Sequence, residues 1–130
     1  MRGRWMMAAV ISLSALAATK VVAQDAGPTV EAAVGTGVVD RQLQGAADSF
    51  PATVGTVYCY AKVGKTQAGA SIELVWYHSD VEVGRKALNI GGSPWRTWGS
   101  KIIPPDATGD WKVDVVADGK VITSVAFKVQ

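Results

Sequence analysis

The stretch WKVDVVADGKVITSVAFKV, residues 111–129, decides the fold of this chain. In its first half apolar residues alternate with Lys112 and Asp114, and from Val121 to Val129 an apolar residue or a threonine returns at every second position. A period of two is the pattern of a β-strand with one buried face and one wet face. Asp118-Gly119 between the two runs supplies the residues of a tight primed turn. The stretch therefore predicts a β-hairpin.

Five segments upstream share the β-branched and aromatic composition of strands, and turn signals separate most of them. With the hairpin they predict seven strands: Val30–Val39, Val54–Val63, Ser71–His78, Val81–Ile90, Trp95–Ile103, Trp111–Ala117 and Lys120–Val129. Pro104 to Gly109 is predicted to be a surface turn, and Gln42 to Ser49 a loop. Seven short strands in a chain of this size predict an all-β, immunoglobulin-like antiparallel sandwich, with a small β-barrel as the alternative.

The first 23 residues have the pattern of an export signal. Arg2 and Arg4 precede an uncharged apolar run from Trp5 to Ala18, and Val21-Val22-Ala23 offers small residues for cleavage. The run is shorter than the roughly 20 residues of a membrane-spanning helix. We therefore expect a periplasmic or secreted protein, with an uncleaved N-terminal anchor in the inner membrane as the alternative. The predicted organisation is a signal peptide at 1–23, a flexible tail at 24–30 and a single β-sandwich domain at 31–130.

The net charge bears on the possible partners of the chain, and the single cysteine bears on its structure. The chain holds 13 Lys and Arg against 11 Asp and Glu. Cleavage after Ala23 would remove three basic residues and no acidic one, which leaves a net charge of −1, so we predict no nucleic-acid partner. Cys59 is the only cysteine, and its place in an alternating run predicts a buried structural thiol.

Segments that resemble catalytic or metal motifs are incomplete. Val63-Gly64-Lys65-Thr66 lacks the earlier glycine of a phosphate loop. His78-Ser79-Asp80 cannot form a triad, because contiguous residues near a strand end point in alternating directions. Aspartates recur every fourth position from Asp106 to Asp118, which misses the spacing of a calcium loop. We predict no cofactor, no metal and no catalytic residue. In a hydrolase, the neighbouring acid/base pairs would be Glu73 with His78, or Glu82 with Asp80.

The stretch GGSPWRTWGSK, residues 91–101, places two tryptophans on either side of Arg96. In an extended segment Trp95 and Trp98 point to opposite faces, so the two indoles cannot fill the same core. Either Trp95 packs inward while Arg96 covers an indole or Tyr77 as a cation–π contact, or the segment is a platform for a sugar or peptide. In the second case Arg96 or Lys101 would hold a carboxylate. The candidate binding surface consists of Tyr77, Trp95, Arg96, Trp98 and Lys101.

Several segments together resemble a bacterial domain family, DUF2914. They are VYCYAKV, IELVWYHSDVEV, SPWRTWGSKII, GDWKVDVVADGKVI and FKV, and they cover about Val54 to Val129. Two positions depart from the family pattern: Gly99 stands where a serine is usual, and Ser79-Asp80 where an Asn-Gly-like turn is common. The resemblance implies an exported or membrane-tethered β-sandwich without an assigned activity.

Together these features predict a non-enzymatic binding or interaction module at the bacterial cell envelope, with an unknown envelope protein or a glycan as its partner. Carbohydrate or peptidoglycan binding through an exposed Trp/Arg surface is the first alternative, and a hydrolase is the second. After signal cleavage we expect no membrane span.

Overall fold

The computed structural model describes residues 28–130, which form ten strands. The strands are β1 (Thr29–Gly35), β2 (Gly37–Val39), β3 (Gln42–Gln44), β4 (Ser49–Phe50), β5 (Thr56–Gly64), β6 (Ser71–His78), β7 (Val81–Asn89), β8 (Trp95–Ile102), β9 (Gly109–Ala117) and β10 (Lys120–Val129). The predicted signal peptide lies outside the described residues, and β1 begins just before the predicted domain boundary. Residues 28–130 hold no helix of the length and hydropathy that a membrane span requires.

Two sheets form the body of the domain. One has three strands in the order β1-β5-β8, and the other has five in the order β4-β10-β9-β6-β7. All pairs are antiparallel except β4 with β10. Neither sheet closes on itself, so the fold is the predicted immunoglobulin-like sandwich and not a barrel. The two sheets meet closely at Gly99, where an added Cβ would lie 3.0 Å from Cδ1 of Leu74.

The predicted hairpin is confirmed. Strands β9 and β10 pair antiparallel around a turn in which Asp118 and Gly119 have φ angles of 52° and 77°. The alternation is interrupted by a register shift between Val121 and Thr123. This bulge leaves Val121 exposed, contrary to the predicted period, and allows Ile122 to pack against the core.

The segment from residue 30 to residue 50 differs from its prediction. The expected single strand Val30–Val39 breaks at Thr36, and the expected loop at 42–49 contains β3 and the start of β4. Strands β2 and β3 form a separate hairpin, closed by Asp40 and Arg41 with φ angles of 51° and 62°. Left-handed turn positions usually hold glycine or asparagine, so Asp40-Arg41 is not recognisable as a hairpin turn from the sequence.

The core lies between the two sheets and is built on aromatic side chains. Trp76 is 1% exposed and meets Phe127 edge to face, with ring centroids 6.4 Å apart. Trp111 stacks on the same phenylalanine at 5.9 Å. Cys59 is fully buried, and burial raises the pKa of its thiol to about 12. The predicted buried thiol is confirmed.

Candidate binding site

The structure divides the five candidate residues among different surfaces. Tyr77 lies on the outer face of the five-stranded sheet, next to Lys112. Arg96 and Trp98 lie on the outer face of the three-stranded sheet, opposite Lys62 and Tyr60 in the register. The outer faces of a two-sheet sandwich point in opposite directions. Tyr77 therefore cannot share a ligand with Trp98.

Trp95 lies at the start of β8, opposite Val63, and its half-buried indole packs against the core. The inward packing expected of Trp95 is confirmed. The cation over its ring is Arg41, whose Cζ lies 5.7 Å from the ring centroid. Arg96 covers neither this ring nor that of Tyr77, because Arg96 alternates onto the other face of β8 and Tyr77 belongs to the other sheet.

A hydrogen bond to its backbone holds Arg41 in place. The hydroxyl of Tyr60 donates a hydrogen bond to the carbonyl oxygen of Arg41. A non-glycine residue in the left-handed region costs roughly 1 kcal/mol or more and persists only where the surrounding structure holds it. The hydroxyl of Tyr60 supplies such a hold. It fixes the turn while leaving the guanidinium of Arg41 available to the ring of Trp95.

Trp98 supports this arrangement from the outer face of the sheet. It lies directly opposite Tyr60, and the two rings are nearly parallel, with an interplanar angle of 12° and centroids 6.1 Å apart. Trp98 therefore packs on Tyr60, Tyr60 anchors Arg41, and Arg41 covers Trp95. The two tryptophans of the Trp-Arg-Thr-Trp segment thus take part in one chain of contacts, although they lie on opposite faces of β8.

Arg41 and Trp95 border a cleft of about 500 Å³ at the edge of the three-stranded sheet. Its lining consists of Arg41, Lys62, Pro94, Trp95 and Arg96. Three of the five side chains are cationic, and none is acidic. Lys62 has an ion pair with Glu31 at 3.9 Å, in which both side chains are more than half exposed. Within residues 28–130, neither guanidinium of the cleft forms an ion pair with a carboxylate. The cleft therefore attracts an anion.

Lys101 has a different role. Its ammonium donates a hydrogen bond of 2.9 Å to the carbonyl oxygen of Val83 in β7. Val83 falls at the register shift between β6 and β7, where the backbone of an edge strand is left without a ladder partner. Lys101 thus links β8 to the edge of the other sheet and protects that edge from pairing with another chain.

The charged side chains around Tyr77 are paired with each other within the protein. The ammonium of Lys112 lies 4.6 Å from the ring centroid of Tyr77 and 3.7 Å from a carboxylate oxygen of Asp114. Asp114 is only 6% exposed and also accepts a hydrogen bond of 2.6 Å from the hydroxyl of Ser124. A buried carboxylate needs such partners, because desolvation penalises an unpaired charge. This network stabilises the sheet.

Three of the four residues in the acid/base pairs that a hydrolase would need form structural contacts. His78 stacks on Trp111 at 4.6 Å, and its Nε2 lies 2.8 Å from the carbonyl oxygen of Thr108. Glu73 and Glu82 both bind Arg85, at 3.2 Å and 3.0 Å, and the hydrogen bond from Arg85 lowers the pKa of Glu82. A carboxyl with a lowered pKa is a poor general acid near neutral pH.

Residues 28–130 contain no group of three or more His, Cys, Asp or Glu side chains that could hold a metal ion. Three side chains that build the cleft were not predicted from the sequence: Arg41, Tyr60 and Lys62. Lys62 carries a weak signal, since it occupies an outward position in an alternating strand. Arg41 carries none, because it reaches the cleft through a turn that only the fold reveals.

Comparison with known proteins agrees with this architecture. Among solved structures, an immunoglobulin-like protein from Pseudomonas aeruginosa is similar, with a TM-score of 0.54 over 81% of this chain and 98% of that chain. The two sequences are 14% identical, so the similarity concerns the fold. No curated protein sequence matches this chain. The profile of DUF2914, a protein family of unknown function, matches residues 70–129. That match spans β6 to β10 and includes Trp95-Arg96-Thr97-Trp98, so this part of the chain is similar to the DUF2914 family, while β5 lies outside the match.

Proposed function

We propose that this protein is a non-enzymatic binding module of the bacterial cell envelope, and that it binds an envelope glycan at the cleft beside Trp95. The observation that carries the proposal is the position of Arg41. Its guanidinium lies over an indole, its backbone is anchored by Tyr60, and Lys62 and Arg96 flank it. Groups that are ordered before a ligand arrives lose little conformational entropy on binding. The site is therefore prepared for a partner.

The proposed location rests on the N-terminal sequence. Residues 1–23 combine a basic start, an apolar run and small residues before Gln24, which is the pattern of an export signal. We expect protein expressed from the full 130-residue sequence to be recovered from the periplasm with Gln24 at its N-terminus. Recovery from the inner membrane with an intact N-terminus would favour the uncleaved anchor instead.

The proposed mechanism uses charge pairing and aromatic contact, without a covalent step. Trp95 has the cation of Arg41 over its ring, so this indole presents a guanidinium to a ligand and is not an open stacking surface. Stacking of a guanidinium on an aromatic ring orients its N–H groups toward an acceptor. Trp98, half-buried beside the cleft, supplies the apolar surface that a sugar ring can contact.

Co-sedimentation with purified peptidoglycan sacculi, partly stripped of their stem peptides by an amidase so that the sugar chains are exposed, tests the proposal. We expect the wild-type protein to sediment with the sacculi and the Arg41→Ala variant to remain in solution. Arg85→Ala is the matched control, because Arg85 lies on the opposite sheet and should not affect binding. Release of soluble sugar fragments from the sacculi would show an enzyme. Failure of the wild-type protein to sediment, or equal loss in the control, would exclude this cleft as the glycan site.

A further inference from the structure

We infer that the cleft recognises a carboxylate on a sugar ring, so that its ligand is an acidic and not a neutral glycan. The inference deepens the proposed function and rests on it. Three observations support it: the pairing of the surface cations, the position of Lys62 relative to Arg96, and the position of Trp98 relative to Arg96.

Residues 28–130 contain three arginines, and only Arg85, outside the cleft, is paired with carboxylates. It binds two glutamates, whereas Arg41 and Arg96 form no ion pair within the described residues. The arginines of the cleft differ, since Arg41 packs on a ring and is held through its carbonyl oxygen. All five guanidinium N–H groups are donors in a planar fork, and a carboxylate fits this fork with two parallel hydrogen bonds.

Lys62 and Arg96 reinforce the same preference. They are direct partners in the register of β5 and β8 and lie on the same outer face. Like charges directly opposite each other in a sheet destabilise it. Glu31, opposite Lys62 on β1, offsets this repulsion only weakly, because its ion pair is long and exposed. An anion bound between Lys62 and Arg96 would remove the repulsion, which gives the bound state an advantage that a neutral ligand cannot supply.

The position of Trp98 indicates that the ligand contains a sugar ring. Trp98 follows Arg96 by two residues on the same face of β8, so the two side chains lie roughly 7 Å apart along the strand. A ring that presents its carboxylate to Arg96 can therefore rest against the indole of Trp98. A run of acidic residues in an extended peptide has carboxylates but no flat apolar face at that distance. The arrangement thus favours an acidic sugar over an acidic peptide.

Calorimetric titration with matched ligands tests the inference. The ligands are the disaccharide of N-acetylglucosamine and N-acetylmuramic acid, its methyl ester, and triglutamate. The ester keeps the rings and removes only the charge. We expect the acid to bind about tenfold or more tightly than the ester, since a charge-assisted pair is lost. In Arg41→Ala and Arg96→Ala the affinity for the acid should fall to that of the ester, whereas Arg85→Ala should bind like the wild type.

Each outcome separates the inference from the proposed function. Equal affinity for the acid and the ester would overturn the carboxylate assignment and leave glycan binding intact. Triglutamate that binds as tightly as the acidic disaccharide would overturn the sugar assignment. No binding of either disaccharide, together with no binding to sacculi, would overturn both proposals. Arg96 is exposed, so Arg96→Ala keeps the test decisive even if Arg41→Ala does not fold.

Discussion

The two sides of the sandwich each place a cation over an aromatic ring, and they use it differently. On the five-stranded sheet Lys112 lies 4.6 Å from the centroid of Tyr77, and on the edge of the other sheet Arg41 lies 5.7 Å from that of Trp95. Lys112 also pairs with the buried carboxylate of Asp114. Within the described residues Arg41 forms no ion pair. A cation–π contact therefore does not by itself indicate a binding site. The two contacts are distinguished by whether the cation is also paired with a carboxylate.

The two contacts also differ in construction. Tyr77, Lys112 and Asp114 come from the adjacent central strands β6 and β9, so sheet formation itself brings them together. Arg41 comes from the small β2–β3 hairpin and is fixed by one side-chain hydrogen bond from Tyr60. The first contact is tied to the stability of the domain. The second depends on a small hairpin at the edge of the sandwich and on a single side-chain hydrogen bond.

Removal of the buried carboxylate should give the largest effect on stability. Asp114→Ala leaves the hydroxyl of Ser124 and the ammonium of Lys112 without their acceptor, and we predict a loss of about 1–3 kcal/mol in the free energy of unfolding, measured in urea. Asp110→Ala, which breaks the exposed pair with Lys128, is the control and should cost little. Affinity at the cleft should not change. A weaker affinity would show that the two sides are coupled.

The burial of Cys59 on the inner side of β5 should make the stability of the domain depend on pH in the alkaline range. Burial raises the pKa of Cys59 from 9.0 to about 12, so its stabilising contribution is complete below pH 9 and is lost between pH 9 and pH 12. By pH 10 the wild type should lose about 1.4 kcal/mol more than Cys59→Ala, because the thiol ionises in the unfolded chain. Parallel urea titrations of the two proteins from pH 7 to pH 10 measure this difference. Identical pH dependence would contradict the burial of the thiol.

The outer side of the same strand should respond to loss of one hydroxyl. Tyr60→Phe removes the hydrogen bond to Arg41 but keeps the ring that packs on Trp98. We predict a loss of about 1 kcal/mol in stability and weaker binding of the acidic disaccharide, since the turn that carries the guanidinium is released. Tyr58→Phe, two positions earlier on the same side of β5, is the control. If both variants bind alike, Tyr60 does not position Arg41.

The smallest effect is expected at Arg85. Its ion pairs with Glu73 and Glu82 are exposed, and exposed pairs contribute little to stability. We predict that Arg85→Met has the unfolding midpoint of the wild type in thermal denaturation and binds the acidic disaccharide equally well. A clear loss of either property would mean that the charges on the five-stranded sheet do more than neutralise one another.

Much of the architecture could be predicted because it depends on short-range patterns. Alternation in residues 111–129 and the Asp118-Gly119 turn predicted the β9–β10 hairpin, and strand composition predicted Ser71–His78 with the bounds that β6 has. Alternation also predicted that Trp95 and Trp98 face opposite sides. These properties follow from the period of the extended chain, which each segment carries by itself.

The site was decided by the tertiary structure. A strand's sequence tells which side of that strand a residue occupies, but not which strand lies beside it or what crosses its edge. Tyr77 and Trp98 both read as exposed aromatics, yet they belong to different sheets and point apart. Arg41 joins Trp95 because a hairpin with two non-glycine residues in the left-handed region folds back and is held there by Tyr60. The sequence by itself determined most of the strands from residue 54 onward and their buried faces, through local periodicity. Only the packing of distant segments determined the β2–β3 hairpin and which cations meet at the cleft.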